Sequence, residues 1–463
     1  MSSAPDRRDR SSSPPVVGVF GGSFDPPHLG HALLVALLRA QGELDRLIVA
    51  PVYDHPLAKG TKTPFAKRLA WTRAAMQMYG DFVEVTDLER TLAEADPERP
   101  SYSLRLLDAV AAQHPGSEVR LVIGSDIVCR GETQRWHRWE DIESRYSPLV
   151  VPRTGYAESA DCVLPEVSSS DVRDAVSRGD WDAVGRRVPR AVAELLRTPD
   201  QGDLWVIGNG HVARHAEPWL VERGYRVQRV SGRAVTAGKV TWPAQTPVAV
   251  WILTSDNAIE PVAQALADAA VLPAGVPVFH GAGARSSAAL LGPLRPRHPV
   301  GSLHPICALR RERSWPSLLG QASFGLEGDP HAESFLEALV APQSFLRLGS
   351  LDARARLAYH AACALAANHL SVLEAQATAV LRGQGHAEEA AEAAVRTLML
   401  SALSNLHALG IPRGITGPMS RGDVGAIQAH LAALDDPTRS LYARLSDDLG
   451  AIIRAATPAE SEL

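Results

Sequence analysis

Two histidines three residues apart, His28 and His31, stand inside the string Gly21-Gly22-Ser23-Phe24-Asp25-Pro26-Pro27-His28-Leu29-Gly30-His31. The string follows the apolar run VVGVF and leads into HALLVALLRA, so it reads as strand, glycine turn and helix start. Such a turn suits phosphate. Its glycines let the backbone approach a ligand, and the first helical turn offers unpaired N–H groups and the positive end of its dipole. At i and i+3 the two imidazoles share one helix face and can reach the same anion. The spacing alone also fits a metal pair or two capping histidines.

A second glycine turn, Gly208-Asn209-Gly210-His211-Val212-Ala213, has the form G-x-G-x-x-A between a strand and a helix, the context a dinucleotide-binding turn requires. The strand after it, YRVQRV, ends in Ser231-Gly232-Arg233. An acidic residue there would bind a ribose 2′-hydroxyl, whereas Ser231 and Arg233 suit a 2′-phosphate, so NADP(H) is expected over NAD(H). Later, His360 and Asn368 lie in an Ala-rich helical stretch, 352–382, about 80° apart on the wheel, which predicts that both face one cleft. Lysine is absent after Lys239, so an acid–base role in hydride transfer would fall to His304 or His360. Buried, hydrogen-bonded histidines would leave the same trace.

Positioning these groups calls for two α/β halves. Strands are expected at 16–20, 46–51, 82–85, 119–124 and 148–152, with helices at 29–41, 65–79 and 101–114 between them. This alternation predicts right-handed βαβ units and a parallel sheet. After a linker near 198–203, strands at 204–208, 225–230 and 248–253 open a second Rossmann-like unit, and helical periodicity dominates beyond about residue 350. The expected domains are a disordered tail over 1–15, a first α/β domain over 16–198, a dinucleotide-binding domain over 203–300, and a mostly helical domain over 301–455.

Composition bounds the rest. The chain has 463 residues, 45% of them hydrophobic and 21% charged, enough for two to four domains with real cores. A net charge of −5, with no basic stripe, argues against a nucleic-acid partner. Cys129, Cys162, Cys307 and Cys363 are far apart, which excludes a zinc ribbon or disulfide framework and suits a reducing compartment. No run approaches the roughly 20 apolar residues of a membrane span, and the N-terminus lacks a signal-peptide core. A cytoplasmic location without membrane partners is expected.

The string GGSFDPPHLGH resembles the signature of the nicotinate-nucleotide adenylyltransferase branch of the nucleotidyltransferase superfamily. Further landmarks follow in order: Arg68 at a helix start, Pro100-Ser101-Tyr102-Ser103, Gly124-Ser125-Asp126 with Trp136 and Trp139 downstream, and Ser168-Ser169-Ser170-Asp171-Val172-Arg173. The resemblance implies attack by a pyridine mononucleotide's phosphate on the α-phosphorus of ATP, with Mg²⁺ on the triphosphate. His28 and His31 would bind the ATP phosphates and stabilise the transition state, and Arg173, the third catalytic residue, would hold the β- and γ-phosphates. Gly21, Gly22, Ser23 and Phe24 would line the phosphate and ribose, and Ser169 and Ser170 would hold the outer phosphates. Gly124 and Asp126 would meet the ribose, Trp136 would stack on the pyridine ring, and Lys59 would serve the acceptor side. The loop 53–59 departs from the family's pattern, which leaves nicotinate and nicotinamide open as acceptors. Residues 203–435 resemble Rossmann-like proteins with helical C-terminal domains, of the 6-phosphogluconate and ketopantoate reductase group. That resemblance rests on His280-Gly281-Ala282-Gly283, Gly301-Ser302-Leu303-His304-Pro305, Tyr359-His360-Ala361-Ala362, Asn368 and Thr416-Gly417-Pro418. It implies a second, NADP-dependent oxidoreductase activity or a dinucleotide-sensing module, and a homodimer through the helical domain.

Overall fold

The computed structural model describes residues 14–53, 62–96, 102–153, 167–309 and 318–456. Lys59, Pro100, Ser101, Cys162 and residues 1–13 of the tail expected over 1–15 lie outside the described residues. The chain divides into two compact units, Met1–Arg356 and Leu357–Leu463.

The first unit holds two sheets. Strands β1 (Val16–Gly22), β2 (Arg46–Pro51), β3 (Val83–Val85), β4 (Glu118–Gly124) and β5 (Leu149–Val151) form a parallel sheet in the order β3-β2-β1-β4-β5. Central strands of such a sheet are covered on both faces and therefore read as unbroken apolar runs. In β1, Val17 and Val19 enter one core with Ile48, Leu107, Leu121 and Ile123, while Phe20 enters the opposite core with Val35, Leu38 and Val49. The chain crosses from one side of β1 to the other at β4, so the crevice beyond the carboxyl ends of β1 and β4 is a switch point, where ligands of open α/β sheets bind.

Strands β6 (Asp203–Ile207), β7 (Arg226–Val230), β8 (Pro247–Ile252), β9 (Val278–His280), β10 (Val300–Ile306), β11 (Ser323–Gly328) and β12 (Phe345–Arg347) form the second sheet, ordered β12-β11-β10-β9-β8-β6-β7. It is parallel except for the antiparallel β10–β11 pair. This sheet continues to Arg347, so the expected start of the helical domain at 301 falls inside β10. The β10–β11 pair is antiparallel and needs no crossover helix.

The two sheet domains share a core. Helix Phe65–Met76, from the first half, sends Ala75 and Met76 into the core over β1 and β2 and Ala70 into the core of the second sheet beside Leu204, Trp219 and Trp251.

The second unit is helical, with Leu370–Gly383, Glu388–Leu409, Val424–Ala433 and Thr438–Ala456 following the end of helix Ala353–Ala367. The stretch 352–382 is two helices rather than one. It breaks at Asn368 and His369, whose N–H groups both turn back to the Ala364 carbonyl. Asn368 still donates to the Ala364 carbonyl in the helical i→i−4 pattern, and the ladder is broken at His369. Among the described residues, no helix is long and apolar enough to cross a membrane.

Candidate active site

Helix Leu29–Gln41 starts where β1 ends, and His28 is its N-cap in an extended conformation. The His28 N–H donates to His31 Nδ1 at 3.1 Å, and the two rings lie 3.8 Å apart, centroid to centroid. With Nδ1 accepting, neutral His31 carries its proton on Nε2, the atom left to donate to a phosphate oxygen. Phe24 is buried with its ring 4.8 Å from that of His31. Burial pushes the His28 imidazole down to about 4, aided by the charge of Arg153 and opposed by Asp171. Burial also holds His31 well below the ordinary histidine value, with His28 and then Arg153 adding to the effect.

Asp126 and Arg153 stand at the carboxyl ends of β4 and β5. Arg153 Nη1 lies 3.2 Å from Asp126 Oδ2, and the Arg153 N–H donates to Ser125 Oγ at 2.9 Å. Gly124 makes room for both side chains: a Cβ there would overlap Asp126 Oδ1 and lie 2.9 Å from Arg153 Cδ. Arg153 is the residue that sequence reasoning missed. Its signal was its place directly after an apolar strand, the same criterion that singled out Asp126.

Helix Ser169–Ser177 closes the site from the other side. Ser168 caps it, accepting the Asp171 N–H at 3.2 Å. Ser169 Oγ donates to the Pro26 carbonyl at 2.8 Å, and Arg173 donates to the Asp25 carbonyl and, at 3.0 Å, to Ser170 Oγ. Two of these expected phosphate ligands, Ser169 and Arg173, thus clasp the backbone of the turn between β1 and the His28 helix, and Ser170 holds Arg173. Asp25 itself is buried, its Oδ2 accepting the Lys62 N–H at 2.9 Å. Arg68 is fully buried and donates to the carbonyls of Thr63, Ser23 and Val52 at 3.0, 2.8 and 2.8 Å. It ties the turns after β1 and β2 together and acts on the site through them. Trp136 is half-buried, edge-on to Trp139 at 5.7 Å, and packs against the core around Ile123 and Ile142.

In the second sheet, Gly208 follows β6 with φ 140°, and a Cβ there would overlap the Leu253 carbonyl oxygen, so only glycine fits. Asn209 Oδ1 accepts from Arg229 Nη2 at 3.0 Å; Gly210 caps helix His211–Glu222, and Ala213 is fully buried beneath it. Ser231 caps the short helix Gly232–Thr236, on which Arg233 is exposed. His304, on β10, is half-buried, and its ring packs on the backbone of Gly283, 2.8 Å from where a Cβ would stand. His360 and Asn368 are exposed and belong to the second unit.

Among the described residues, no three His, Cys, Asp or Glu side chains converge as a metal site. The cations of the first site are guanidinium groups, which bind phosphate by fork-shaped hydrogen bonding.

Two family models match the chain: one described as Cytidylyltransferase-like over residues 19–175, and a domain of unknown function (DUF2520) over 322–449. A protein of Anaeromyxobacter sp. (strain K), named "Probable nicotinate-nucleotide adenylyltransferase", is 33% identical over 166 residues, 35% of this chain and 85% of its own. A protein of the same name from Exiguobacterium sibiricum is 32% identical over 192 residues, 39% of this chain and 95% of its own. A solved pyrroline-5-carboxylate reductase from Coxiella burnetii aligns with 55% of this chain and 99% of its own at 15% identity, with a TM-score of 0.38.

Proposed function

Through its N-terminal half the chain belongs to the nicotinate-nucleotide adenylyltransferase family, and from that premise we propose that its first sheet domain joins ATP to nicotinate or nicotinamide mononucleotide. A phosphate oxygen of the mononucleotide attacks the α-phosphorus of ATP, the bond to the β-phosphate breaks, and dinucleotide and pyrophosphate leave. The observation that carries the proposal is the pair of imidazoles 3.8 Å apart on the first turn of a helix at the switch point of the sheet.

His31 Nε2–H and the His28 ring meet the charge that develops on the phosphorus oxygens. Such fixed donors act most strongly where water is excluded. Arg173 and Ser169 exchange part of their grip on the Asp25–Pro26 backbone, and Ser170 its contact with Arg173, for the outer phosphates. Asp126 accepts from ribose hydroxyls, and Arg153 neutralises it and adds positive charge beside the imidazoles. Trp136 offers a face to the pyridine ring, and Lys59 serves the acceptor phosphate. Mg²⁺ enters with ATP as part of the substrate, on the phosphate oxygens.

The second sheet domain binds NADP(H), or NAD(H), at the Gly208–Gly210 turn with Ser231 and Arg233 at the 2′ position. It serves either an oxidoreductase step using His304 or His360 or a sensing role without turnover. The helical unit forms a homodimer.

Pyrophosphate release from ATP and Mg²⁺ with each mononucleotide in turn tests the first proposal. A signal above that of ATP alone with at least one acceptor is expected, and silence with both overturns it.

A further inference from the structure

An ion-pair network runs from the first sheet domain into the second through buried ground. In the first, Arg90 on helix Leu88–Ala95 is 8% exposed; in the second, Glu217 on helix His211–Glu222 is 5% exposed. Arg90 Nη1 meets Glu217 Oε1 at 2.5 Å, while Arg90 Nη2 meets Asp87 Oδ2 at 2.6 Å. The other Glu217 oxygen lies 3.6 Å from Arg229, which holds Asn209 between the two glycines of the dinucleotide-type turn. Removing the Glu217 charge takes one of two carboxylate partners from Arg90 and an ion-pair partner from Arg229 in buried ground, so the pair couples the two helices.

What Arg90 holds matters for adenylyl transfer. Its guanidinium lies 5.4 Å from the Phe65 ring centroid, and Phe65 meets Tyr53 edge-to-face at 5.1 Å. The neighbouring Glu89, itself buried, accepts the Tyr53 N–H at 2.9 Å. Tyr53 lies two residues beyond the carboxyl end of β2, which pairs directly with β1. It thus stands on the rim where ligands of a parallel sheet bind.

We propose that Glu217, in the second sheet domain, is a positioning residue for adenylyl transfer: through Arg90 it sets helix Leu88–Ala95, and through Glu89 and Phe65 that helix sets the Tyr53 segment on the acceptor side of the site. The two sheet domains then work as one unit, and the second is needed for proper acceptor affinity whatever else it binds. The inference rests on the adenylyl-transfer reading for its kinetic consequence, and on the hydrogen-bond chain alone for its structural one.

The test uses the full chain carrying Glu217→Gln, which keeps shape and removes charge. Initial rates should show a three- to tenfold higher KM for the mononucleotide, with kcat and the KM for ATP within twofold of the parent. Glu217→Asp should recover part of the loss. Hydrogen exchange gives a readout independent of activity: the amide of Tyr53 should exchange at least tenfold faster in Glu217→Gln, while amides of β1 and β4 are unchanged. Equal kinetics and equal Tyr53 exchange in a folded variant overturn the proposal, as does a uniform loss across both substrates and all amides. A parent enzyme silent with both mononucleotides defeats the adenylyl-transfer reading separately, and the exchange result still decides the positioning claim. Should Glu217→Gln fail to fold, Arg90→Gln removes the same bridge from the other side and is read by the same two measurements.

Discussion

A neutral imidazole that receives a polyanion takes up a proton, and the first site holds two. Burial and Arg153 keep His28 near 4, and burial with its neighbour keeps His31 lower still, so both rings are uncharged in the free protein at neutral pH. Their contribution to stability is present above the unfolded value of about 6.5 and is lost as pH falls towards the folded values. A bound triphosphate reverses the balance and raises both. Titration calorimetry of ATP binding at pH 6.5 in buffers of different ionisation enthalpy should show net proton uptake, which His28→Ala reduces; an uptake of zero would show that both rings act as neutral donors. His31→Ala should cut kcat by about 10²–10³-fold, the cost of one donor aimed at developing oxyanion charge. Glu89 behaves in the opposite sense. Burial raises its carboxyl to about 7, with the Tyr53 N–H and Arg68 pulling it partway back. The folded protein therefore keeps a proton that the unfolded chain releases near 4.5, and stability is lost as pH rises from there through 7, by about 3 kcal/mol in all. Glu89→Gln should flatten that slope, measured as the change in urea midpoint between pH 5 and pH 8 relative to the parent.

At the scale of elements, each turn between a strand and a helix is built for close approach. Gly208 is the sharpest case, because its φ and the Leu253 carbonyl both exclude a side chain. Gly208→Ala should abolish NADPH binding measured by fluorescence while leaving pyrophosphate release within threefold, since the first site lies on the other sheet; a loss of both would mean that the turn supports the whole unit. These turns were legible in the sequence because glycine spacing, strand periodicity and helix start coincide there, and the predicted helix at 29–41 matches the observed one to the residue. Three features were not. Arg153 finds Asp126 just beyond β4, 27 positions earlier, and no local pattern announces such a pairing. Strand β10 reads Val-Gly-Ser-Leu-His-Pro-Ile, a composition poor in strand signal, yet it is held in the sheet by β9 and β11 together. The helix break after Asn368 has no glycine or proline to mark it, only the His369 N–H turning back to the Ala364 carbonyl that Asn368 already uses.

At the scale of the whole molecule, the two units differ in how they are filled. The first has apolar cores on both faces of both sheets. In the second, the buried apolar side chains among the described residues are Ala391 and Val395, although its helices reach 22 residues in length. Leu398 is 70% exposed, Leu400 68%, Ile411 65% and Val424 68%. Leu398 and Leu400 sit about 200° apart on their helix, so apolar surface is exposed on two sides rather than along one stripe. Exposed large apolar side chains gathered in one helical unit mark a surface that is covered in an assembly. The chemistry of the surface favours a second copy of the same helices, because exposed leucines on each can cover those on the other in an isologous pairing. Light scattering should therefore give twice the chain mass of 49.6 kDa. Leu398→Glu with Leu400→Glu should shift the mass towards one chain, with pyrophosphate release retained because His28, His31, Arg153 and Arg173 all come from the first unit. A parent that runs as a single chain at micromolar concentration would refute the dimer and leave those leucines for a different partner. A double variant that stays dimeric would place the interface on other residues.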